Sequence, residues 1–173
     1  MKFIDVNFEV PIALKTESFT LRPLSSEYAE MDYKAIMSSL ERLQGTFGPS
    51  IKWPSAELTL GENQSDLELH HDLFIKKEEF SYIILDPKER YSKGCIYLVP
   101  LLHPDYDVLI YSWVTAEEAK KNFHPILIET IKEWLQTSWP FKKPVFPGVT
   151  ISWDEWDKEL EANGNNPTSK TQN

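Results

Sequence analysis

From residue 80 the apolar residues follow the two-residue period of a β-strand, and this change of period constrains the fold more than any other feature. Apolar segments with strand-like spacing cover residues 80–86, 94–99 and 107–114. The connections between them are short, which is typical of antiparallel neighbours. Helical spacing then returns over residues 122–138. The second half of the chain therefore predicts three consecutive antiparallel strands followed by one helix.

The first half predicts one strand and two helices. Residues 18–24 alternate apolar and polar side chains, and Pro23 predicts an edge or a strand end because it has no N–H to donate. A helical pattern covers residues 26–44. The sequence from Ser65 to Glu68 matches a capping box, which predicts a second helix over about 66–78.

The remaining segments complete an α+β pattern. The stretch 45–62, which contains glycine and proline, predicts a surface connection, and residues 145–153 and 154–160 predict a further strand and a short helix. The expected fold is a mostly antiparallel sheet flanked by helices. A chain of 173 residues without an internal repeat predicts one domain over residues 1–160. Residues 161–173 carry no large apolar side chain and predict a disordered tail.

Charge and composition argue against several classes of function. The chain has 18 basic and 27 acidic side chains and a net charge of −9, whereas nucleic-acid binding requires a basic face. No apolar run approaches about 18 residues, and the N-terminus does not read as a signal peptide, so we expect a cytoplasmic protein without a membrane segment. Cys95 is the only cysteine, and the four histidines lack ligand spacing, so no disulfide or metal site is expected.

Three stretches resemble the GNAT superfamily of acyl-CoA-dependent N-acetyltransferases. Residues 19–24 are similar to the family's opening strand and 94–98 to its third strand. Residues 107–114 with 127–135 are similar to its fourth strand and to the helix that faces the cofactor. The resemblance spans about residues 18–153. It implies a GNAT-like mixed sheet that is short at the C-terminal end, because no segment for the family's final hairpin follows.

The resemblance also implies a binding site for acetyl-CoA. In the family, the sheet splays open beside the fourth strand, and main-chain groups there bind the pantetheine arm; these positions correspond to Trp113, Val114 and Thr115. The loop that follows binds the pyrophosphate through its amides at a helix N-terminus. The positions that carry over for this role are Lys120, Lys121, Asn122, Phe123 and His124.

The pyrophosphate loop departs from the family's pattern. The family has Arg or Gln first, Gly fourth, and Gly or Ala sixth, where this chain has Ala119, Asn122 and His124. Asn122 can adopt a positive φ at modest cost, whereas His124 brings an imidazole to a place that requires close backbone approach. Lys120 and Lys121 offer compensating positive charge.

Two side chains are candidates for the chemistry of acetyl transfer. Asp107 opens the fourth strand, where lysine-directed members of the family carry a carboxylate base; the other interpretation is a solvated acid at a strand start. Many relatives use a late tyrosine to protonate the departing thiolate. No tyrosine follows Tyr111, so either Tyr111 or water takes this role, or the step is absent. The alternative, which the sequence favours, is that Tyr111 is a core aromatic.

Two functions follow from these observations. One is acetyl transfer from acetyl-CoA to a small-molecule or peptide amine, which the sequence does not identify. The other is a GNAT-fold domain that has lost cofactor use and binds a ligand or a protein partner. The missing glycines of residues 119–124 favour the second, whereas Lys120 and Lys121 leave the first open. A homodimer through the bare sheet edge is compatible with both.

Overall fold

One six-stranded sheet organises residues 3–164, the part of the chain that the computed structural model describes. Its strands are β1 (Leu14–Lys15), β2 (Thr20–Pro23), β3 (Phe80–Leu85), β4 (Ser92–Pro100), β5 (Val108–Val114) and β6 (Pro144–Val145). They lie side by side in chain order, and every neighbouring pair is antiparallel except β5 and β6, which are parallel. The predicted α+β class with a mostly antiparallel sheet is confirmed.

Helices cover both faces of the sheet. They are α1 (Ala29–Met37), α2 (Leu40–Leu43), α3 (Leu60–Ile75), α4 (Ala116–Lys120), α5 (Phe123–Ser138) and α6 (Trp153–Ala162). A short 3-10 turn, Ser26–Tyr28, precedes α1. Between residues 3 and 164, no helix is long and apolar enough to cross a lipid bilayer.

The period of two in β5 divides its side chains between two cores. Val108, Ile110 and Val114 pack in one core with the apolar face of α5. Leu109, Tyr111 and Trp113 pack in the other core, which includes residues of α1 and α3. β5 is therefore the element that both cores share, and any site on it is held from two sides.

The predicted helix over residues 26–44 is interrupted because one of its serines bonds elsewhere. Ser39 has φ of −138°, outside the helical region, and separates α1 from α2. Its hydroxyl accepts a hydrogen bond from the Ala116 amide at 2.8 Å. This long-range contact competes with the helical hydrogen bonds, which the apolar spacing alone could not indicate.

The prediction that α3 begins after Ser65 is wrong. The helix begins at Leu60, and its capping box is formed by Thr59 and Glu62. The Glu62 amide donates to the Thr59 hydroxyl at 3.2 Å, and the Thr59 amide donates to the Glu62 carboxylate at 2.8 Å. Two S/T-x-x-E patterns occur six residues apart in this sequence, and the earlier one caps the helix.

The C-terminal region also differs from the prediction. The strand expected over residues 145–153 is reduced to β6 and one isolated bridge between Pro147 and Ile151, because Gly148 turns the chain with φ of +75°. Helix α6 continues to Ala162, so the tail does not begin at residue 161, and residues 165–173 lie outside the described part. β6 is the last strand in the sheet order, and the homodimer through this edge stays a prediction.

Gly94 on β4 is required by the close approach of β5. Its φ is +150°, and a Cβ atom there would overlap the Trp113 carbonyl oxygen and lie 2.9 Å from the Val114 Cα. Because these neighbours are backbone atoms, they cannot rotate away. Gly94→Ala is therefore expected to lower the free energy of unfolding by about 2–4 kcal/mol, measured by urea denaturation.

Gly61 provides a matched control for this substitution. It is exposed in the first turn of α3, and a Cβ there meets nothing within 4 Å. Gly61→Ala is expected to leave stability unchanged or to raise it by up to about 1 kcal/mol. A Gly94→Ala variant as stable as the Gly61→Ala variant would contradict the close approach.

Candidate functional site

The parallel strands β5 and β6 are paired only where they begin. Their pairs are Val108 with Pro144 and Leu109 with Val145. From Ile110 to Val114, β5 has no partner strand on this side within residues 3–164. A cavity of about 210 Å³ opens there, which we call the gap. It lies where the resemblance to the GNAT superfamily implied a splayed sheet.

Main-chain groups of β5 point into the gap. The Thr115 amide donates to the Lys93 carbonyl of β4 at 3.0 Å, so the preceding residue, Val114, presents its main chain to the opposite side. The Val114 carbonyl accepts a hydrogen bond from Arg42 Nε at 3.3 Å. Trp113 and Val114 both line the gap, whereas Thr115 does not.

His124 also lines the gap, from the first turn of α5. Its Nε2 lies 3.0 Å from the hydroxyl oxygen of Ser112 on β5. Burial lowers the pKa of His124, and the nearby charge of Arg42 lowers it further. The imidazole is therefore neutral at neutral pH, and it narrows the gap without joining the two strands.

The segment predicted to bind a pyrophosphate is largely folded into α4. The Thr115 hydroxyl caps this helix by accepting from the Glu118 amide at 3.3 Å. The amide groups of Ala116, Ala119, Lys121 and Asn122 all have hydrogen-bond acceptors within the protein. These amides are engaged, so the open cradle that the resemblance implied is not formed here.

The two lysines of this segment differ in their surroundings. The Lys121 ammonium lies 2.9 Å from the Glu117 carboxylate and 3.1 Å from the Glu118 carboxylate, and these contacts raise the pKa of Lys121. Glu118 is buried and also pairs with Lys93 at 3.1 Å. Lys120 is exposed, and no hydrogen bond or ion pair engages its ammonium within the described residues.

Asn122 and Phe123 form the start of α5. Asn122 adopts φ of +57°, a left-handed conformation, at the position where the GNAT pattern has glycine. Its side chain does not cap the helix. The Phe123 ring is buried beneath the Lys93 ammonium, which lies 3.6 Å from the ring centroid. The amides of Phe123 and His124 are the first two of α5, so they have no partner within the helix, and no other acceptor engages them in the described part of the chain.

A second and larger cavity lies on the side of the sheet that packs against α1 and α3, and we call it the acceptor pocket. Its volume is about 450 Å³. Its lining includes the aromatic residues Phe47, Trp53, Tyr97 and Tyr111 and the ionisable residues Lys52, Asp66, His70 and Glu79. The Phe47 ring lies 5.0–5.5 Å from the rings of Trp53, Tyr97 and Tyr111.

Two carboxylates of the acceptor pocket, those of Asp66 and Glu79, lie beside His70. Its Nδ1 lies 2.9 Å from Glu79 Oε1, and its Nε2 lies 3.6 Å from Asp66 Oδ2. Burial favours neutral histidine, but the hydrogen bond to Glu79 and the charges of Asp66, Glu79 and Asp32 outweigh it, so the pKa of His70 is raised. Burial also raises the pKa of Asp66.

The sequence analysis missed this group of residues. Asp66 and His70 are four residues apart on α3 and therefore share a helix face, which is the one signal that was present. Glu79 comes from the connection that precedes β3, and Phe47 and Trp53 come from the segment predicted as a surface connection. Their convergence depends on how α3 packs against the sheet.

Tyr111 lines both the gap and the acceptor pocket. Burial, together with the negative charge of Asp157, raises the pKa of its hydroxyl to about 12. Asp107, in contrast, lines neither cavity. Its carboxylate accepts hydrogen bonds from the Lys142 and Lys143 amides at 2.6 and 3.0 Å, and so holds the chain leading into β6.

No group of three or more histidine, cysteine, aspartate or glutamate side chains between residues 3 and 164 has an arrangement that could hold a metal ion.

Comparison with known proteins identifies the fold. No protein-family model matches the sequence, and no curated protein is significantly similar to it. The ribosomal-protein-S5-alanine acetyltransferase from Vibrio fischeri has a similar structure, with a TM-score of 0.64 and 15% identity over 89% of this chain and 82% of that chain. This chain has the GNAT fold.

Two further GNAT-fold structures hold coenzyme A. The ribosomal L7/L12 alpha-N-protein acetyltransferase in complex with coenzyme A has a TM-score of 0.55 and 13% identity, over 75% of this chain and 70% of that chain. Spermidine N-acetyltransferase from Vibrio cholerae, in complex with CoA and spermine, has a TM-score of 0.50 and 13% identity, over 69% of this chain and 64% of that chain. At these identities the likeness establishes the GNAT fold, and function has to be argued from the two cavities.

Asp32 on α1 is buried behind the acceptor pocket and gives a pH prediction. It accepts hydrogen bonds from Asn63 Nδ2 at 2.9 Å and from Cys95 Sγ at 3.2 Å, and burial raises its pKa from 3.8 to about 6. Because the folded-state pKa is the higher one, the stability that protonated Asp32 contributes is present below about pH 4 and is lost as the pH rises through 6.

The stability of wild-type protein relative to Asp32→Asn should therefore fall as the pH rises. A rise in the pKa of Asp32 from 3.8 to about 6 corresponds to a change of about 3 kcal/mol in the difference of unfolding free energies between pH 4 and pH 7. Urea denaturation at a series of pH values measures this difference. A difference that stays constant with pH would show that Asp32 titrates normally in the folded state.

Proposed function

We propose that this protein is an acetyl-CoA-dependent N-acetyltransferase that acts on a cationic amine. The observation that carries the proposal is the position of Tyr111, which lines both the gap and the acceptor pocket. A thioester in the gap and an amine in the acceptor pocket would therefore meet at one side chain. Direct transfer between two bound substrates requires this arrangement.

The gap fits the arm of acetyl-CoA in part. The outward main chain of β5 at Ser112 and Val114 offers hydrogen-bonding groups to an extended amide-bearing arm, and Arg42 adds a positive charge beside them. Two of the GNAT-fold structures described above hold coenzyme A. Acetyl-CoA supplies an activated thioester, so the protein has to orient the amine and accept its proton.

The pyrophosphate end fits less well, which predicts weak binding of acetyl-CoA. Lys120 and the amides of Phe123 and His124 are the donors that remain, because the amides of α4 are engaged within the protein. Each missing charge-assisted hydrogen bond costs about 1.5–3 kcal/mol of binding free energy. Two missing bonds weaken binding by two or more orders of magnitude.

The acceptor pocket suits an ammonium group. Asp66 and Glu79 contribute carboxylates, and the aromatic walls attract cations through the faces of their rings. Tyr111 would then protonate the departing sulfur. Its pKa of about 12 keeps the phenol protonated at neutral pH, so it has a proton to give.

Acetylation of an amine panel tests this function directly. Purified protein is incubated with acetyl-CoA and with primary amines of differing charge, and acetylated products are detected by mass spectrometry. Cationic amines are expected to be acetylated in preference to neutral or acidic ones. Absence of product from every amine at millimolar acetyl-CoA would contradict the proposal.

The role of Tyr111 gives a second prediction. Tyr111→Phe is expected to lower kcat by about 100-fold or more, because it removes the proton donor, and to leave the Kd for acetyl-CoA unchanged. Tyr91→Phe, at an exposed tyrosine, is the control and should retain full activity. Equal kcat values for the two variants would assign protonation of the sulfur to water.

The gap itself gives a third prediction. His124→Ala removes the imidazole that narrows the gap and retains a good helix former, so acetyl-CoA is expected to bind about tenfold more tightly by isothermal titration calorimetry. Gln136→Ala, exposed near the other end of α5, is the control. Unchanged or weaker binding in His124→Ala would mean that the imidazole does not obstruct the gap.

A second candidate function is favoured by the engaged amides of α4 and by the pairing of Lys121 with Glu117 and Glu118. In that case the protein is a GNAT-fold domain that binds a cationic ligand without using acetyl-CoA. Calorimetry separates the two functions, because this alternative requires amine binding in the acceptor pocket and no binding of acetyl-CoA at millimolar concentration.

A further inference from the structure

A short series of hydrogen bonds leads from β3 into the acceptor pocket. The Ser81 hydroxyl donates to Glu79 Oε1 at 2.9 Å, and the same oxygen lies 2.9 Å from His70 Nδ1. Ser81 and Glu79 are both buried, and His70 and Glu79 line the pocket. The imidazole is thus held on its inner side by groups that the protein shields from water.

Two contacts at Nδ1 indicate which nitrogen of His70 carries a proton. Nδ1 lies 2.9 Å from Glu79 Oε1 and 3.1 Å from the Ser81 hydroxyl oxygen, and the Ser81 proton is already donated to Glu79. Both oxygens therefore act as acceptors toward Nδ1, and in neutral histidine the lone pair then resides on Nε2. Nε2 has no hydrogen bond within the described residues; the nearest carboxylate oxygen, on Asp66, is 3.6 Å away. His70 therefore offers the pocket a proton acceptor of fixed orientation.

The groups that face His70 come from several elements. Asp66 lies on the same helix, Glu79 precedes β3, and Asp32 on α1 contributes negative charge from behind. The Tyr97 ring of β4 lies 5.3 Å from the imidazole, and Lys52 also lines the pocket. The surrounding carboxylates favour a protonated imidazole, which suits a group that has to take a proton from an ammonium ion.

We propose that His70 is the catalytic base that deprotonates the acceptor amine, with Glu79 and Ser81 as positioning residues and Asp66 facing the ammonium group. This inference rests on the proposed N-acetyltransferase function. Asp107, which lines neither cavity, is not required for this deprotonation.

Deprotonation by His70 leads directly to acetyl transfer. An N–H bond of the ammonium breaks, its proton passes to His70 Nε2, and the electron pair stays on nitrogen. That pair forms the C–N bond with the thioester carbonyl carbon, and the electrons of the C–S bond leave with sulfur. Sulfur takes the Tyr111 proton, and the proton on His70 returns to the Tyr111 phenolate through solvent. The nitrogen carries a positive charge once the C–N bond has formed, and it releases its second proton to solvent. The products are an N-acetyl amide, the coenzyme A thiol and one proton.

Steady-state kinetics against pH test the inference. His70→Gln is expected to lower kcat/KM about 100-fold or more for the best amine of the panel. Glu79→Gln is expected to lower kcat/KM about tenfold and to move the acid limb of the pH profile to lower pH, because removing the carboxylate favours neutral His70. Glu78→Gln, at the exposed neighbouring residue, is the control and should keep both the rate and the profile.

A readout that needs no substrate accompanies the kinetics. Nitrogen-15 NMR of the histidine side chains is expected to show the Nδ1–H tautomer for His70 in the wild-type protein, and loss of that preference in Glu79→Gln. If His70→Gln does not fold, the shift of the acid limb in Glu79→Gln decides the question, since a purely structural role would leave the limb in place.

The outcomes separate the two proposals. Wild-type protein that acetylates no amine overturns the proposed function and this inference with it. Acetyl transfer by the wild type, combined with unchanged kcat/KM in His70→Gln or an unmoved acid limb in Glu79→Gln, overturns the inference alone. An Nε2–H tautomer in the wild type also overturns it.

Discussion

Strand β5 is hydrogen-bonded along its whole length on one side only, and the gap exists because of this asymmetry. Register pairs with β4 run from Gly94 opposite Val114 to Pro100 opposite Val108, whereas β6 pairs only with Val108 and Leu109. Main-chain groups left without a partner strand are costly to bury, so they require water, a side chain or a ligand. Arg42 supplies one such partner at the Val114 carbonyl. The rest of the edge remains available to an extended arm.

The acceptor pocket combines groups that cost free energy to place together. Asp32, Asp66 and Glu79 lie around His70. Burial disfavours the charged forms of Asp32, Asp66 and His70, because it removes these side chains from water. Perturbed pKa values of groups that line a cleft are a feature of functional sites. The bonds from Ser81 and Glu79 also give the imidazole a fixed orientation, which a purely structural ion pair does not require.

The sequence predicted the fold where local periodicity and tertiary packing agree. The spacing of the apolar residues predicted the strands after residue 80 and helix α5. Helix α5 begins within one residue of its predicted position. Helix α4 has only five residues and lies in a polar segment without an apolar periodicity, so the S/T-x-x-E spacing of Thr115 and Glu118 is its one signal in the sequence. His70 and Glu79 could not be brought together, since their contact depends on the packing of α3 against β3.

A crystal structure of the protein with acetyl-CoA would show whether the gap binds the coenzyme. Density is expected between the diverging ends of β5 and β6, with the thioester at Tyr111 and the phosphates near Lys120 and the start of α5. The coenzyme bound elsewhere on the protein, or the His124 imidazole retained in an empty gap at millimolar acetyl-CoA, would contradict this expectation.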